Sequence, residues 1–178
     1  MNAPRSTLFA SATLALLTGC GSQSGASEPK GAIIAPHAGD AVQIGTGPHP
    51  VLIKVDRSTT GSQRLFVFQV VLDPGDSLPV HRHHHDDELI FVHTGEVAAI
   101  VGEEGQVSPA GTTLFIPAGK RVGLRNLSTA SATLLIIFAV PHMAEYIRSL
   151  GNAPGAPRKT LSADELDALR RRHDITFP

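Results

Sequence analysis

From residue 51 onward the chain alternates short β-branched or aromatic runs with turn residues. VLIKV (51–55), LFVFQVVL (65–72), ELIFV (88–92), VAAIVG (97–102), TLFIP (113–117) and ATLLIIFAV (132–140) have the composition of strands. Between them lie DPGD, HTGE, GEEGQ, PAGK and NLSTAS, rich in the residues that suit tight turns. Strands at such even spacing, with no helix between them, predict an antiparallel sandwich or barrel. The last run is apolar throughout from Leu134 to Val140, which predicts a strand covered on both faces. The pattern leaves open whether Phe66, Phe68 and Val70 or Leu65, Val67 and Gln69 point inward.

Beyond residue 140 the period changes. PHMAEYIRSLG predicts a short helix, closed by Gly151 in a left-handed cap. Ser162, with Glu165 three residues on, is a capping-box signature opening a second helix, ADELDALRRRH. Leu161, Leu166 and Leu169 would pack that helix on the barrel exterior.

Composition narrows the class. The chain has 178 residues, 42% apolar and 17% charged, enough for one domain with a real core. A net charge of −1 gives no general reason to bind nucleic acid or an anionic membrane. With a single Cys there is no internal disulfide, so packing holds the fold. That Cys ends LTGC (17–20), after Arg5 and a short apolar run over 7–17. The run is too short to span a bilayer. LTGC resembles the bacterial lipobox, which implies lipid attached at Cys20 and a protein exported to the bacterial cell envelope, anchored by more than one acyl chain. The Gly/Ser-rich stretch after it reads as a tether. The expected organisation is a signal peptide over 1–19, a flexible tether over 20–41, a β-barrel over 42–140 and a helical extension over 141–178.

The chemistry concentrates in HRHHHDDE (81–88). On a strand His81 and His83 point the same way, and Glu88 opens the next strand after a turn made by residues 84–87. Two imidazoles and one carboxylate with open positions left over suit Fe(II) and other first-row divalent metals. His85 shares parity with His83 and is the alternative further ligand; otherwise His84 and His85 read as a solvated turn. His93 has the opposite parity to Glu88 and should face outward. His37, His49, His142 and His173 read as surface residues.

These residues resemble a known family, the cupins. Their first motif, G-x5-H-x-H-x3–4-E-x6-G, is filled by Gly75, His81, His83, Glu88 and Gly95. Their second, G-x5-P-x-G-x2-H-x3-N, is filled by Gly111, Pro117, Gly119 and Asn126 but not at its histidine. There the chain has Val122, so at most three protein ligands remain, and Arg121 and Arg125 beside it would repel a metal. The resemblance implies an all-β fold, a small antiparallel double-stranded β-helix or jelly-roll barrel of six to eight strands. It also implies a divalent metal (Fe, Mn, Ni or Zn) near one mouth, held by His81, His83 and Glu88, and a structural role for Asn126. Gly75, Gly95, Gly111 and Gly119 are expected in turns with positive φ. Phe66, Phe68, Ile90, Val92 and Leu124 are the expected apolar wall of the cavity.

Two functions from different classes follow. The first is a metal-dependent enzyme, dioxygenase-like and acting on an aromatic or phenolic small molecule, with Glu88 as a metal ligand or as a general base. The second is a non-catalytic module that binds a small molecule at a degenerate site, motivated by Val122. A regulator bound to nucleic acid does not fit the charge or the lack of a helix-turn-helix segment. A homodimer through an exposed strand edge is allowed, and membrane contact is expected only through the lipid.

Overall fold

A computed structural model describes residues 28–178. The expected signal peptide and Cys20 lie outside the described residues. In chain order the strands are β1 (Asp40–Val42), β2 (Val51–Val55), β3 (Phe66–Leu72), β4 (Ser77–His83), β5 (Glu88–Thr94), β6 (Glu96–Val101), β7 (Glu104–Pro109), β8 (Thr113–Ile116), β9 (Arg121–Arg125) and β10 (Ala132–Phe138). Helices α1 (Met143–Leu150) and α2 (Ala163–Arg172) follow, then β11 (Ile175–Thr176). Two sheets face each other, one ordered β1-β2-β3-β10-β5-β8 and the other β11-β4-β9-β6-β7. The strand pairings are antiparallel.

The alternation along β3 is resolved by burial: Phe66, Phe68, Val70 and Leu72 turn inward. They meet the inward residues of β10 in register, Phe68 opposite Ile136 and Phe66 opposite Phe138. The rings of Phe66 and Phe68 stack at 4.9 Å, and Phe68 and Phe138 lie nearly parallel at 6.4 Å. β10 is central in its sheet, but only Ala132, Leu134, Ile136 and Phe138 are buried. Its other face, carrying Thr133, Leu135 and Ile137, is half-covered, so full burial of this strand is not what the fold adopts.

The strands without an apolar signature are β4, β7, β9 and the short β1 and β11, which extend the expected six to eight. β7 is an edge strand in which Ser108 alone is buried, so no period of two shows in its sequence. The four motif glycines do turn with positive φ. At Gly95 this is a packing demand as well, since a Cβ there would lie 2.8 Å from the Ala132 Cα.

Both ends of the described chain are tied to the barrel. Of the expected tether, the stretch from Lys30 is docked: Lys30 N–H donates to the Thr60 carbonyl. The Lys54 ammonium donates to the carbonyls of Pro36 and Ala38 at 2.5 and 2.7 Å. On α1, Arg148 donates to the buried Asp56 at 2.5 Å and to Asp40 at 2.7 Å. Burial alone would raise the Asp56 pKa, but hydrogen bonds from Arg148, Thr59 and Ser58 outweigh it and hold the carboxyl below its usual range. Ser162 and Glu165 form the expected capping box on α2. Gly151 is not the left-handed cap: its φ of −142° is extended. Its need for glycine is close approach, since a Cβ would collide with the Gln43 carbonyl oxygen where Gln43 pairs with Asn152.

Candidate metal and ligand site

β4 ends at His83 and β5 begins at Glu88, so the turn between them carries the chain from one sheet to the other at the barrel mouth. That crossing brings His81, His83 and Glu88 together, with one ligating atom from each lying within 4.8 Å of the others. Among the described residues no other group of three His, Cys, Asp or Glu side chains does this. The imidazole Nδ1 of His81 lies 2.8 Å from the Pro79 carbonyl oxygen. Donating there leaves Nε2 with a free lone pair, the tautomer a metal ligand requires. The ring of His83 sits edge-on to Phe138 at 4.9 Å and to His81 at 5.1 Å.

Burial decides the charges. His83 is lowered to about 3, first by desolvation and then by the neighbouring His81. Glu88 is raised to about 8 by desolvation. The 4.0 Å approach of His83 Nε2 to Glu88 Oε2 is therefore a contact between neutral groups at pH 7, not an ion pair. Two buried atoms of this group, His83 Nδ1 and Glu88 Oε2, have no hydrogen-bond partner. Buried polar atoms are normally paired, so the pair marks a place where a ligand or ion belongs. Two imidazoles and a carboxylate, with unsatisfied atoms among them, fit a first-row divalent metal.

The remaining site residues fall differently from expectation. Val122 lies opposite His81 on β9, fully buried, and offers no donor. His85 does not replace it: its side chain is 84% exposed and pairs with Asp174. The turn is exposed at His84 and His85 but not merely solvated. His84 meets Thr176 at 2.9 Å, and Asp86 is buried against His142 at 2.9 Å. His142 is exposed as expected, though paired with Asp86, whereas His173 is not a surface residue. His173 is 3% exposed, with its ring stacked on His142 at 6.1 Å and tilted against Tyr146 at 5.6 Å. His93 faces outward, as its parity predicts.

The three converging residues line a cavity of about 370 Å³. Of the expected wall only Phe68 lines it; Phe66, Ile90, Val92 and Leu124 are packed in the core between the sheets. The cavity is walled on the barrel side by Phe68, Val70, Ile136 and Phe138. The opposite wall is the C-terminal extension, with Met143, Tyr146, Ile147 and Leu150 from α1 and Phe177 after β11. So α1 and Phe177 wall the cavity, while α2, with Leu161, Leu166 and Leu169 half-buried, packs on α1 and β11. The spacing 143, 146, 147, 150 is one helical face, a signal that α1 must cover something apolar. No pattern marks Phe177, whose ring stacks on His81 at 5.7 Å.

Comparisons with known proteins agree with this fold. Residues 68–138 match the family model described as Cupin domain. An RmlC-like cupin from Shewanella frigidimarina NCIMB 400 superposes with a TM-score of 0.54 at 18% identity, over 68% of this chain and all of that one. KdgF from a Halomonas species gives 0.50 at 17% identity, over 62% and 94%. These are likenesses of fold. A mannose-1-phosphate guanylyltransferase 2 from Escherichia coli O157:H7 is 24% identical over 83 residues; the match takes in 47% of this chain and spans only 17% of that protein's length. Fold, motif spacing and family match together show that this chain carries a cupin domain over residues 68–138.

Proposed function

We propose that this chain is a metal-dependent cupin enzyme, in which His81, His83 and Glu88 hold one divalent transition metal and a small-molecule substrate lies beside it in the cavity. The observation that carries this reading is the convergence of three donors within 4.8 Å while two of their buried atoms lack partners. When bound, the metal would supply Lewis-acid polarisation of a substrate oxygen and open positions for substrate and dioxygen, the chemistry of a dioxygenase-like oxidoreductase. The chain's own contribution is orientation and an apolar setting. The Pro79 carbonyl fixes the His81 ring, Phe138 packs the His83 ring, and α1 with Phe177 supplies an apolar wall beside them. Glu88, raised to about 8, would give up its proton on holding the metal and would act as a base only when not bound to it.

The second reading, a non-catalytic ligand-binding cupin, is favoured by one observation: the buried Val122 opposite His81, where the cupin motif has a histidine. Elemental analysis of the full chain beside Val122→His separates the two. About one metal ion per chain in both proteins supports the enzyme; metal only in Val122→His assigns the natural chain to the second reading.

We also propose that the protein is exported and lipid-anchored through Cys20. Cys20→Ser should move it from the membrane fraction to the soluble one, and unchanged membrane partition would overturn the anchor.

A further inference from the structure

We infer that the ligand of this cavity is a molecule with one polar end and an apolar body, and that the C-terminal extension selects it. The inference rests on the proposed function only in placing the polar end at His81, His83 and Glu88. Apart from these three, the polar side chains of the cavity wall are the hydroxyls of Ser77 and Tyr146. Among the described residues no Lys, Arg, Asp, Asn or Gln lines it. A phosphate in this space would find no Lys or Arg and only the proposed metal as a cation, so most of its lost hydration would go unreplaced, and a polyol would leave most of its hydroxyls unpaired. A sugar phosphate therefore does not belong here. A body without further polar groups loses nothing by entry and gains from the burial of its apolar surface. The volume, about 370 Å³, is at the small end of the range for small-molecule pockets.

The selecting residues stand outside the 68–138 match. Met143, Tyr146, Ile147 and Leu150 come from α1, which Arg148 fastens to Asp56 and Asp40. Phe177 is delivered by β11, whose Ile175 pairs with His83 itself. The Arg170 guanidinium lies 4.2 Å over the Phe177 ring and helps hold it against His81. A cupin barrel with a different tail would present a different wall to the same donors, so substrate choice is set by the tail while the barrel supplies the donors.

Calorimetric binding of propionate, 3-phenylpropionate and glucose 6-phosphate to the full chain tests this, with the protein either stripped by EDTA or loaded with Zn(II). The expected result is 3-phenylpropionate binding at least tenfold tighter than propionate, glucose 6-phosphate not binding, and the preference falling at least fivefold in Phe177→Ala or in Met143→Ala. Glucose 6-phosphate binding as tightly as 3-phenylpropionate, no preference between the two acids, or a preference unchanged in both variants would overturn it. The wild-type comparison stands even if a variant fails to fold. A phenyl preference that persists while Zn(II) tightens neither acid refutes the metal site and leaves this inference standing. Equal tightening of both acids by Zn(II) without a phenyl preference does the reverse.

Discussion

Metal binding to the full chain should strengthen about tenfold for each pH unit between pH 6 and 8 and level off above, because one proton must leave for each ion that enters. That proton belongs to Glu88, whose carboxyl is raised to about 8 by burial. His83, lowered to about 3, is already neutral and releases none. The same burial acts on the metal-free fold with a definite sign. Unfolded, the carboxyl ionises near its ordinary 4.5; folded, it keeps its proton to about 8. The folded state therefore binds more protons in this window, and metal-free stability should decline as pH rises through it. Glu88→Gln removes both effects at once: melting of the EDTA-treated variant should vary less with pH, and its metal affinity at pH 9 should drop roughly a hundredfold or more. Titration of Zn(II) against wild type and variant at three pH values measures this. An affinity independent of pH from 6 to 8, or a variant that binds as well as wild type, would remove Glu88 from the metal.

Asn126→Leu should be the most destabilising single change away from the cavity, by about 3–5 kcal/mol, with a fall in Tm of about 10 °C. Asn126 is completely buried. Its Nδ2 donates to the Leu72 and Ala130 carbonyls at 2.8 and 2.7 Å. Its Oδ1 accepts from the Ser128 N–H at 2.9 Å and hydroxyl at 2.8 Å. Its backbone pairs with Gly75 and Asp76. The side chain thus joins the end of β3 to the loop between β9 and β10, while the backbone of the same residue ties in the turn before β4. Leucine matches the size but leaves the buried Leu72 carbonyl and the half-buried Ser128 N–H without these partners. Asn126 follows the end of β9 that pairs with Ser77, whereas His81 and His83 lie at the far end of β4. Metal content per folded molecule should therefore not change. Thermal melts with metal analysis of the folded fraction check both halves, and a loss below 1 kcal/mol would mean that the network does not hold these loops.

The strands that were legible in the sequence are those whose two faces differ in polarity or whose residues are branched and apolar: β2, β3, β5, β6, β8 and β10. β4 shows only through its histidines, and β7 and β9 show no apolar period because much of each is polar or glycine. The second helix announced itself through Ser162 and Glu165, since a capping box is a local hydrogen-bonding device. Gly151 misled because local chemistry suggests a left-handed cap, whereas its conformation answers to a strand distant in sequence.

The sequence by itself determined the donors. Residue type and a spacing of two along β4, followed by a short turn, are local properties, and they suffice to select His81, His83 and Glu88. Only the tertiary structure decided what surrounds them. The register that leaves Val122 opposite His81, the pairing of β11 with β4 and the docking of α1 through Arg148 join residues tens of positions apart. Such contacts depend on burial and on which surfaces meet once the chain has folded, and neither is written in any local stretch.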